Sequence, residues 1–396
     1  MKDKRTIPYH LQFIEPTSSE QITVGELGNH KMVQLLNDLF LTSRGGEKDT
    51  LENLHEHLRV AMTLELSTIP PYLCALYSIE KGDTTKSDYH EIYGDNAEAA
   101  HIIRSVMMEE MLHFTLVGNV LNAVGGDICI NEKKYVPEYP TVLPDSAGLF
   151  KIHLSKFDKT AIKTFLRIEQ PTPTDAKPAL NGYTTIGQFY HAIVKLMEKL
   201  EIEAEDRGET IFTGDESLQI DKRYYYGGGG EIISVTNLES AKAAIDVILE
   251  QGEGSETSIY DTDHEEFGQI RELAHYFKFN EIYEERRYAT CQTNPKDPPD
   301  GSKMHIKYDK VYNMGIDPKT ANFVSPALKA LSTAFNMEYR KLLDSLQAAF
   351  TGDQEQFLHA VAEMYKLRYQ AVELMRIPIP GQRVNAGPSF EFLEDK

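Results

Sequence analysis

Apolar residues recur at intervals of three and four positions along most of the chain, a pattern typical of amphipathic helices. One helix is expected to begin at Asp49, and Pro70 and Pro71 should kink it or divide it in two. A second helix is expected over about Ala97–Val124, since a Gly-Gly pair follows it. Further helices are predicted near Val33–Thr42, Lys159–Leu166, Thr184–Ala204, Glu239–Gln251, Glu265–Arg286, Ser325–Phe350 and Gln354–Met375.

The same pattern divides the chain into three regions. Residues 1–47 are predicted to form an N-terminal arm. Residues 48–290 hold the long amphipathic helices and are expected to form a bundle, with a proline-punctuated connection at 127–180 between two helical pairs. After a polar, proline-rich stretch, residues 304–396 are expected to form a C-terminal helical extension packed on the bundle. The predicted fold class is mainly α, a four-helix bundle with long connecting loops and extra C-terminal helices.

Ionisable residues fall at positions where the helical period calls for apolar ones. Glu65 lies in the apolar stripe of the first long helix, and Glu110 and His113 lie in that of the second. Burying an ionised carboxylate is costly unless it is paired or bound to a cation. A metal ion would account for these positions, because Glu-x-x-His places both side chains on one helix face. Carboxylate-bridged di-iron and di-manganese bundles use this spacing.

The Glu-x-x-His spacing recurs at Glu272 and His275, on another predicted helix. Bundles of this kind need a further glutamate from the helix before the second motif. Glu253 and Glu250 are the candidates; the apolar stripe of that helix leads to Glu253, whereas Glu250 lies off it. Three other ionisable residues fall off the stripes and are predicted to be solvated, namely Glu109, Glu281 and His57.

The excess of acidic residues limits the classes of partner that the chain is expected to bind. Its 41 Lys+Arg against 61 Asp+Glu give a formal charge of −20, which argues against nucleic acid and anionic membranes, since both attract basic patches. The three cysteines form no CxxC pair, so a thiolate zinc or iron–sulfur site is not expected. The sequence contains neither an apolar secretory signal nor a membrane-spanning apolar stretch, so the expected location is the cytoplasm.

Several segments, taken in order, have the character of a known family. They are ELSTIPPYLCALYSI (65–79), VMMEEMLHFTLVGNVLNAVGG (106–126), YPTVLP (139–144), TIGQFY (185–190), LEQGEG (249–254), ELAHYFKFNEI (272–282), FNMEYRKLL (335–343) and AGPSFEF (386–392). Together they resemble the ferritin-like domain of the iminophenylpyruvate dimer synthases, the VioB-type and RebD-type proteins of bisindole pigment pathways. The resemblance covers nearly the whole chain from about residue 50.

This resemblance implies a ferritin-like fold and a metal-dependent oxidative step on small amino-acid-derived substrates. The best-known members couple two aromatic imines that a partner amino-acid oxidase produces. Those dimer synthases are much longer chains, and Gln188 stands where many relatives have Glu. The family's metal-binding pattern maps onto Glu65, Glu110, His113, Glu253, Glu272 and His275.

These residues are compatible with three functions. The first is a non-haem di-iron oxidase or oxygenase, in which two irons, or manganese instead, react with dioxygen and oxidise an amino-acid derivative. Its reaction would be oxidative coupling, desaturation or hydroxylation, and its partners a small-molecule substrate, dioxygen and an amino-acid oxidase. The second is a non-catalytic iron-binding protein for storage or detoxification, and the third a helical scaffold whose buried Glu and His pair with Arg or with each other. The substrate pocket of the first is expected to be lined by Tyr72, Phe114, Tyr190 and Tyr276.

Overall fold

Helices make up most of the secondary structure, and the predicted fold class is confirmed. The computed structural model describes residues 30–42, 49–82, 88–145, 148–171, 185–253, 258–261 and 272–394. Its helices are α1 (Lys31–Thr42), α2 (Leu51–Ser78), α3 (Tyr89–Tyr93), α4 (Ala97–Ala123), α5 (Lys159–Ile168), α6 (Ile186–Glu205), α7 (Leu238–Glu253), α8 (His275–Glu284), α9 (Pro326–Phe350) and α10 (Gln356–Met375). Its strands are β1 (Thr141–Asp145) and β2 (Gly148–Ile152).

α2 is one continuous helix of 28 residues, so the predicted possibility of a division at Pro70 and Pro71 is wrong. Proline lacks an amide hydrogen and leaves the carbonyl four residues earlier without its helical partner. For Pro71 that carbonyl belongs to Ser67, and it accepts a hydrogen bond of 2.9 Å from the hydroxyl of Tyr139. A side chain from outside the helix therefore replaces a missing bond, and α2 continues to Ser78.

Four helices form a closed arrangement around a buried interior. α2 packs along α4, α4 packs against α7, α7 against α6, and α6 against α2. Their facing side chains are apolar and fully buried, as at Leu58, Leu112, Ile193 and Ile245. α8 packs against α4, α5 and α7. The interior is therefore bordered by α8 and α5 as well as by the four long helices.

The connection between α4 and α6 contains structure that the helical periodicity did not predict. β1 and β2 form an antiparallel hairpin in which Thr141 lies opposite Ile152. α5 follows, and its N-terminus is capped by Asp158, whose carboxylate accepts the amide of Ala161 at 2.8 Å. α5 confirms the short helix predicted in this region, and its C-cap residue is Glu169. Residues 172–184 of the predicted connection lie outside the described residues.

The C-terminal helices are fastened to the rest of the chain. α9 and α10 pack against each other, and α10 also contacts α2. The buried side chain of Asn336 in α9 donates to the hydroxyl of Ser389 at 2.9 Å and accepts the amide of Glu391 at 3.0 Å. In the part of the chain that the structure describes, no helix combines the length and the apolarity that a bilayer span requires.

Candidate metal centre

Two groups of carboxylate and histidine side chains converge in the interior, and they share Glu110. One consists of Glu65, Glu110 and His113, and the other of Glu110, Glu169 and His275. Within each group the possible ligand atoms lie within 4.8 Å of one another, and all five residues are buried. The shared carboxylate places the groups side by side, as expected for a centre that holds two metal ions.

The five residues come from four elements of the chain. Glu65 belongs to the middle of α2, and Glu110 and His113 lie one turn apart on α4. Glu169 is the C-cap residue of α5, and His275 is the first residue of α8. The centre therefore depends on the packing of α5 and α8 against the α2–α4 pair.

The orientation of the two histidine rings is set by hydrogen bonds that each ring makes on its side away from Glu65, Glu110 and Glu169. Nε2 of His113 lies 2.8 Å from Oε1 of Gln251, and Nε2 of His275 lies 2.7 Å from Oε2 of Glu109. Both partners are acceptors, so each Nε2 carries its hydrogen. Metal-binding histidines characteristically donate their second ring N–H to a carboxylate or carbonyl in this way.

The other ring nitrogen of each histidine faces the shared space. Nδ1 of His113 lies 3.5 Å from Oε2 of Glu65 and 3.9 Å from Oε1 of Glu110. Nδ1 of His275 lies 3.0 Å from Oε1 of Glu110 and 3.3 Å from Oε2 of Glu169. With Nε2–H donated elsewhere, a neutral ring would aim a lone pair at a carboxylate, which is repulsive without a cation between them.

The concentration of negative charge alters the acidity of the groups. Burial and the neighbouring carboxylate of Glu169 raise the pKa of Glu110 to about 7. Burial opposes protonation of His275, but Glu169, Glu109 and Glu110 together raise the pKa of this imidazole well above its usual range. Without metal, protons must therefore supply positive charge that a metal cation would otherwise provide.

Neutral hydroxyl groups hold the three carboxylates in place. Tyr190 donates to Oε1 of Glu65, Tyr72 donates to Oε1 of Glu169, and the hydroxyl of Thr68 lies 2.6 Å from Oε2 of Glu110. Burial and the nearby carboxylates raise the pKa of both tyrosines well above the usual range, so their hydroxyls stay protonated and donate. Each carboxylate keeps a second oxygen or lone pair for a metal ion.

The donor set fits iron or manganese. Three carboxylates and two imidazoles are ligands that these metals accept, and they come without thiolates. Glu65 and His113 would hold one ion, Glu169 and His275 the other, and Glu110 would lie between them.

The structure brings four of the six sequence-predicted ligands together, namely Glu65, Glu110, His113 and His275. Glu272 lies outside both groups, because the predicted Glu265–Arg286 helix is wrong over residues 272–274, while residues 265–271 lie outside the described part of the chain. The chain before His275 is extended: Leu273 forms an antiparallel bridge with Tyr260, and α8 starts only at His275. Glu272 and His275 therefore do not share a helix face, and Glu272 pairs with Lys278 instead.

Glu253 and Glu250 were the candidates for the further glutamate ligand. The side chain of Glu253 lies outside the described residues. Glu250 is half-buried and belongs to neither group. Glu169 was missed because it falls in the stretch assigned to a connection. The signal was present in the α5 pattern, since Glu169 follows Ile162 by seven residues and continues its buried stripe.

The residues predicted to be solvated are buried, so that prediction is wrong for each of them. Glu109 is 2% exposed, and both of its oxygens contact the ammonium of Lys278, at 2.6 and 2.8 Å. Glu281 forms an ion pair with Arg287 at 2.5 Å, and the ring of His57 stacks on Phe189. Periodicity failed here because α2, α4 and α8 are covered on more than one side.

A cavity of about 450 Å³ opens beside the centre. Glu65, Glu110, His113 and Glu169 form its polar wall. The rest of the lining is mainly apolar and includes Leu64, Ile168, Ile186, Tyr190, Ile248 and Leu249. A mainly apolar lining with a few convergent polar groups is typical of small-molecule sites.

The four residues predicted to line a substrate pocket lie in different places. Tyr190 lines the cavity, and Tyr72 contacts Glu169 at its edge. Phe114 packs edge-to-face on Phe350, and Tyr276 packs edge-to-face on Phe277. Neither Phe114 nor Tyr276 is among the described residues that line this cavity.

The chain is similar to known proteins over most of its length. A family model described as Ferritin-like matches residues 58–284. The chain is 23% identical over 401 residues to dichlorochromopyrrolate synthase of Lentzea aerocolonigenes, a match that covers 89% of this chain and 37% of that protein. It is 27% identical over 240 residues to 2-imino-3-(indol-3-yl)propanoate dimerase of Chromobacterium violaceum, covering 56% of this chain and 23% of that protein. The predicted resemblance to the imine dimer synthases is confirmed, and the chain spans well under half the length of both relatives.

A solved structure supports the fold. The crystal structure of a ferritin-like protein from Caulobacter vibrioides superimposes with a TM-score of 0.53 at 22% identity. The match covers 86% of this chain and 99% of that one. At this sequence identity the similarity supports the arrangement of helices only, and any activity must be argued from the residues of the site.

Proposed function

Because the chain belongs to the Ferritin-like family, we propose that it is a non-haem di-iron oxidoreductase that oxidises a small amino-acid-derived substrate with dioxygen. One observation carries the proposal: the Nδ1 atoms of His113 and His275 and three glutamate carboxylates aim into the same buried space. An organic substrate is favoured over simple iron storage by the apolar-walled cavity that opens directly on these carboxylates.

The proposed substrate class is an aromatic imino acid or a close derivative, and the proposed reaction is oxidative coupling. Support comes from the names of the two curated relatives, a synthase of dichlorochromopyrrolate and a dimerase of 2-imino-3-(indol-3-yl)propanoate. Both relatives are longer than this chain, so their substrates enter here as part of the proposal. An amino-acid oxidase that releases the imine would be the natural partner for such a substrate.

When bound, iron supplies the redox chemistry with dioxygen, and the protein supplies binding and orientation. Gln251 and Glu109 fix the two imidazole rings through Nε2, so both Nδ1 atoms stay aimed inward. Lys278 compensates the charge of Glu109, which keeps that carboxylate available as an acceptor for His275.

The cavity wall would position the substrate beside the centre. Leu64, Ile186 and Leu249 offer apolar contact to an aromatic side chain and exclude water from the carboxylate wall. The Tyr190 hydroxyl, bonded to Glu65, is held at the boundary between the two walls. This arrangement leaves the three carboxylates and His113 facing the cavity, and both imidazoles are anchored through Nε2.

Oxygen consumption tests this proposal. The iron-loaded protein is mixed with the imines that an L-amino-acid oxidase makes from L-tryptophan or L-phenylalanine, with catalase present, and product formation is followed by mass spectrometry. We expect oxygen uptake beyond that of the oxidase and a coupled product. Both should be lost in Glu110→Ala and retained in Glu205→Ala, a substitution at an exposed glutamate on α6. Uptake of ferrous ions into a mineral without any substrate-dependent reaction would instead identify an iron-storage protein.

A further inference from the structure

A second pocket, of about 680 Å³, lies between α2, α4 and α10, away from the carboxylate centre. Its described lining contains four tyrosines, three methionines and two arginines, and no acidic residue. On α4 the pocket residue Arg104 precedes Glu110 by six positions, about 9 Å along the helix axis. The two sites therefore share a helix but use different faces of it.

The two arginines of this pocket, Arg104 and Arg368, lack carboxylate partners. Among the described residues, Arg104 forms neither an ion pair nor a hydrogen bond, and the contact of Arg368 is to the hydroxyl of Tyr93 at 3.4 Å. Other half-buried arginines of this chain do find carboxylates, as Arg59 does with Glu56 and Arg287 with Glu98. The protein has 61 acidic and 41 basic residues, so carboxylate partners for arginine are plentiful. Two half-buried guanidinium groups that nevertheless lack an anionic partner therefore indicate a binding site for an anionic ligand.

The rest of the lining suits a flat apolar group. Met107 and Met108 come from α4, and thioether side chains adapt to aromatic faces. Tyr226 is fixed in the wall by contact with Tyr225 at 4.7 Å between ring centroids. Tyr77 is buried, and in the part of the chain with described structure its hydroxyl has no hydrogen-bond partner. That hydroxyl is a donor available to a ligand.

We propose that this pocket, the Arg104–Arg368 pocket, binds an aromatic carboxylate. A guanidinium holds a carboxylate through two parallel N–H donors, while the tyrosine and methionine side chains enclose the ring. The assignment does not need a metal ion, so it stands or falls independently of the proposed oxidase function. It adds a binding site on α10, an element that takes no part in the metal centre.

Ligand fluorescence provides the test, because the chain has no tryptophan. Indole-3-propionate is titrated with protein and its fluorescence anisotropy followed, with indole-3-propionamide as the uncharged analogue. We expect the acid to bind more tightly than the amide. Arg104→Gln and Arg368→Gln should each weaken the acid about tenfold or more and leave the amide unchanged.

Two control variants distinguish binding in the Arg104–Arg368 pocket from binding elsewhere on the protein. Arg376→Gln removes the arginine that follows α10 as its C-cap residue and lies over Tyr312 outside the pocket, and it should leave the affinity unchanged. Glu110→Ala should also leave it unchanged, because the metal centre is not involved. Equal affinity of acid and amide for the unaltered protein would overturn the proposal without recourse to any variant. So would loss of binding in Glu110→Ala or full affinity in both arginine variants.

Discussion

His275 and Glu109 are joined by a hydrogen bond of 2.7 Å between Nε2 and Oε2, and this bond turns Nδ1 of the imidazole toward Glu110 and Glu169. Glu109 is in turn held by Lys278 and by the hydroxyl of Ser105 at 2.8 Å. The pair links a residue predicted to be solvated to one predicted to bind metal. Glu109, the residue that orients the His275 ring, directly precedes the shared carboxylate of Glu110 in the sequence.

We expect Glu109→Gln to weaken ferrous binding about 10- to 100-fold, since the ring of His275 loses its charged acceptor and Lys278 loses its counter-charge. Anaerobic titration with ferrous ions measures the affinity. Glu281→Gln is the matched control, a buried glutamate that pairs with Arg287 and does not contact the imidazole. Affinity in Glu109→Gln equal to that of the control would remove Glu109 from the support of the centre.

Glu169 and Glu272 give opposite predictions, because the structure includes the first in the centre and excludes the second. Glu169→Ala should lower tightly bound iron from about two ions per chain to about one, since His275 alone would remain on that side. Glu272→Ala should retain the wild-type content. Metal analysis of both purified proteins measures the iron content. Loss of iron in Glu272→Ala together with wild-type content in Glu169→Ala would instead support the Glu272–His275 ligand pair inferred from sequence spacing.

Glu65, Glu110 and His113, which lie on long helices, were predictable from sequence, whereas the place of Glu169 in the centre and the exclusion of Glu272 were not. α2 and α4 keep a regular period through Glu65, Glu110 and His113, so an inward carboxylate stands out against its apolar neighbours. Glu272 broke the rule because the backbone before α8 pairs with residues 259–261, a contact between segments that periodicity does not encode. Glu169 is positioned by the packing of α5 on α8, which is equally non-local.

The continuity of α2 could not be predicted for a similar reason. Two adjacent prolines forbid their own helical hydrogen bonds, and local rules therefore favour a break. Tyr139, from the chain before β1, supplies the donor that the Ser67 carbonyl lacks. Such compensation depends on a residue more than sixty positions away, and the sequence pattern of the helix contains no sign of it.

Tyr139→Phe tests this compensation. Removing the hydroxyl leaves the Ser67 carbonyl buried without its partner, so the free energy of unfolding should fall by about 1–3 kcal/mol. Tyr369→Phe, at an exposed position of α10, should change it by less than about 0.5 kcal/mol. Urea unfolding of both metal-free proteins, followed by circular dichroism, supplies the comparison. Equal stability would mean that the Tyr139 hydroxyl does not support α2.

His57 should make the stability of the protein depend on pH. Burial lowers its pKa below the usual 6.5 and outweighs the opposing effects of the Asn53 carbonyl and Glu56. The unfolded chain therefore takes up a proton near pH 6.5 that the folded chain resists, and this contribution to stability declines as pH falls below 6.5. His57→Leu should reduce that decline between about pH 6.5 and 5, whereas His359→Gln should not. Parallel slopes for all three proteins in urea unfolding would contradict the assignment.

The central claim is that the buried carboxylates and imidazoles hold metal together, and iron stoichiometry tests it most directly. The purified chain and Glu110→Ala are loaded anaerobically with ferrous ions, passed over a desalting column and analysed for iron, with circular dichroism to confirm that helicity is retained. The account predicts about two ions per chain for the wild type and less than about one for the variant, since both ions would share this carboxylate. A wild-type chain that retains no iron, or a folded variant that retains the full content, would contradict it.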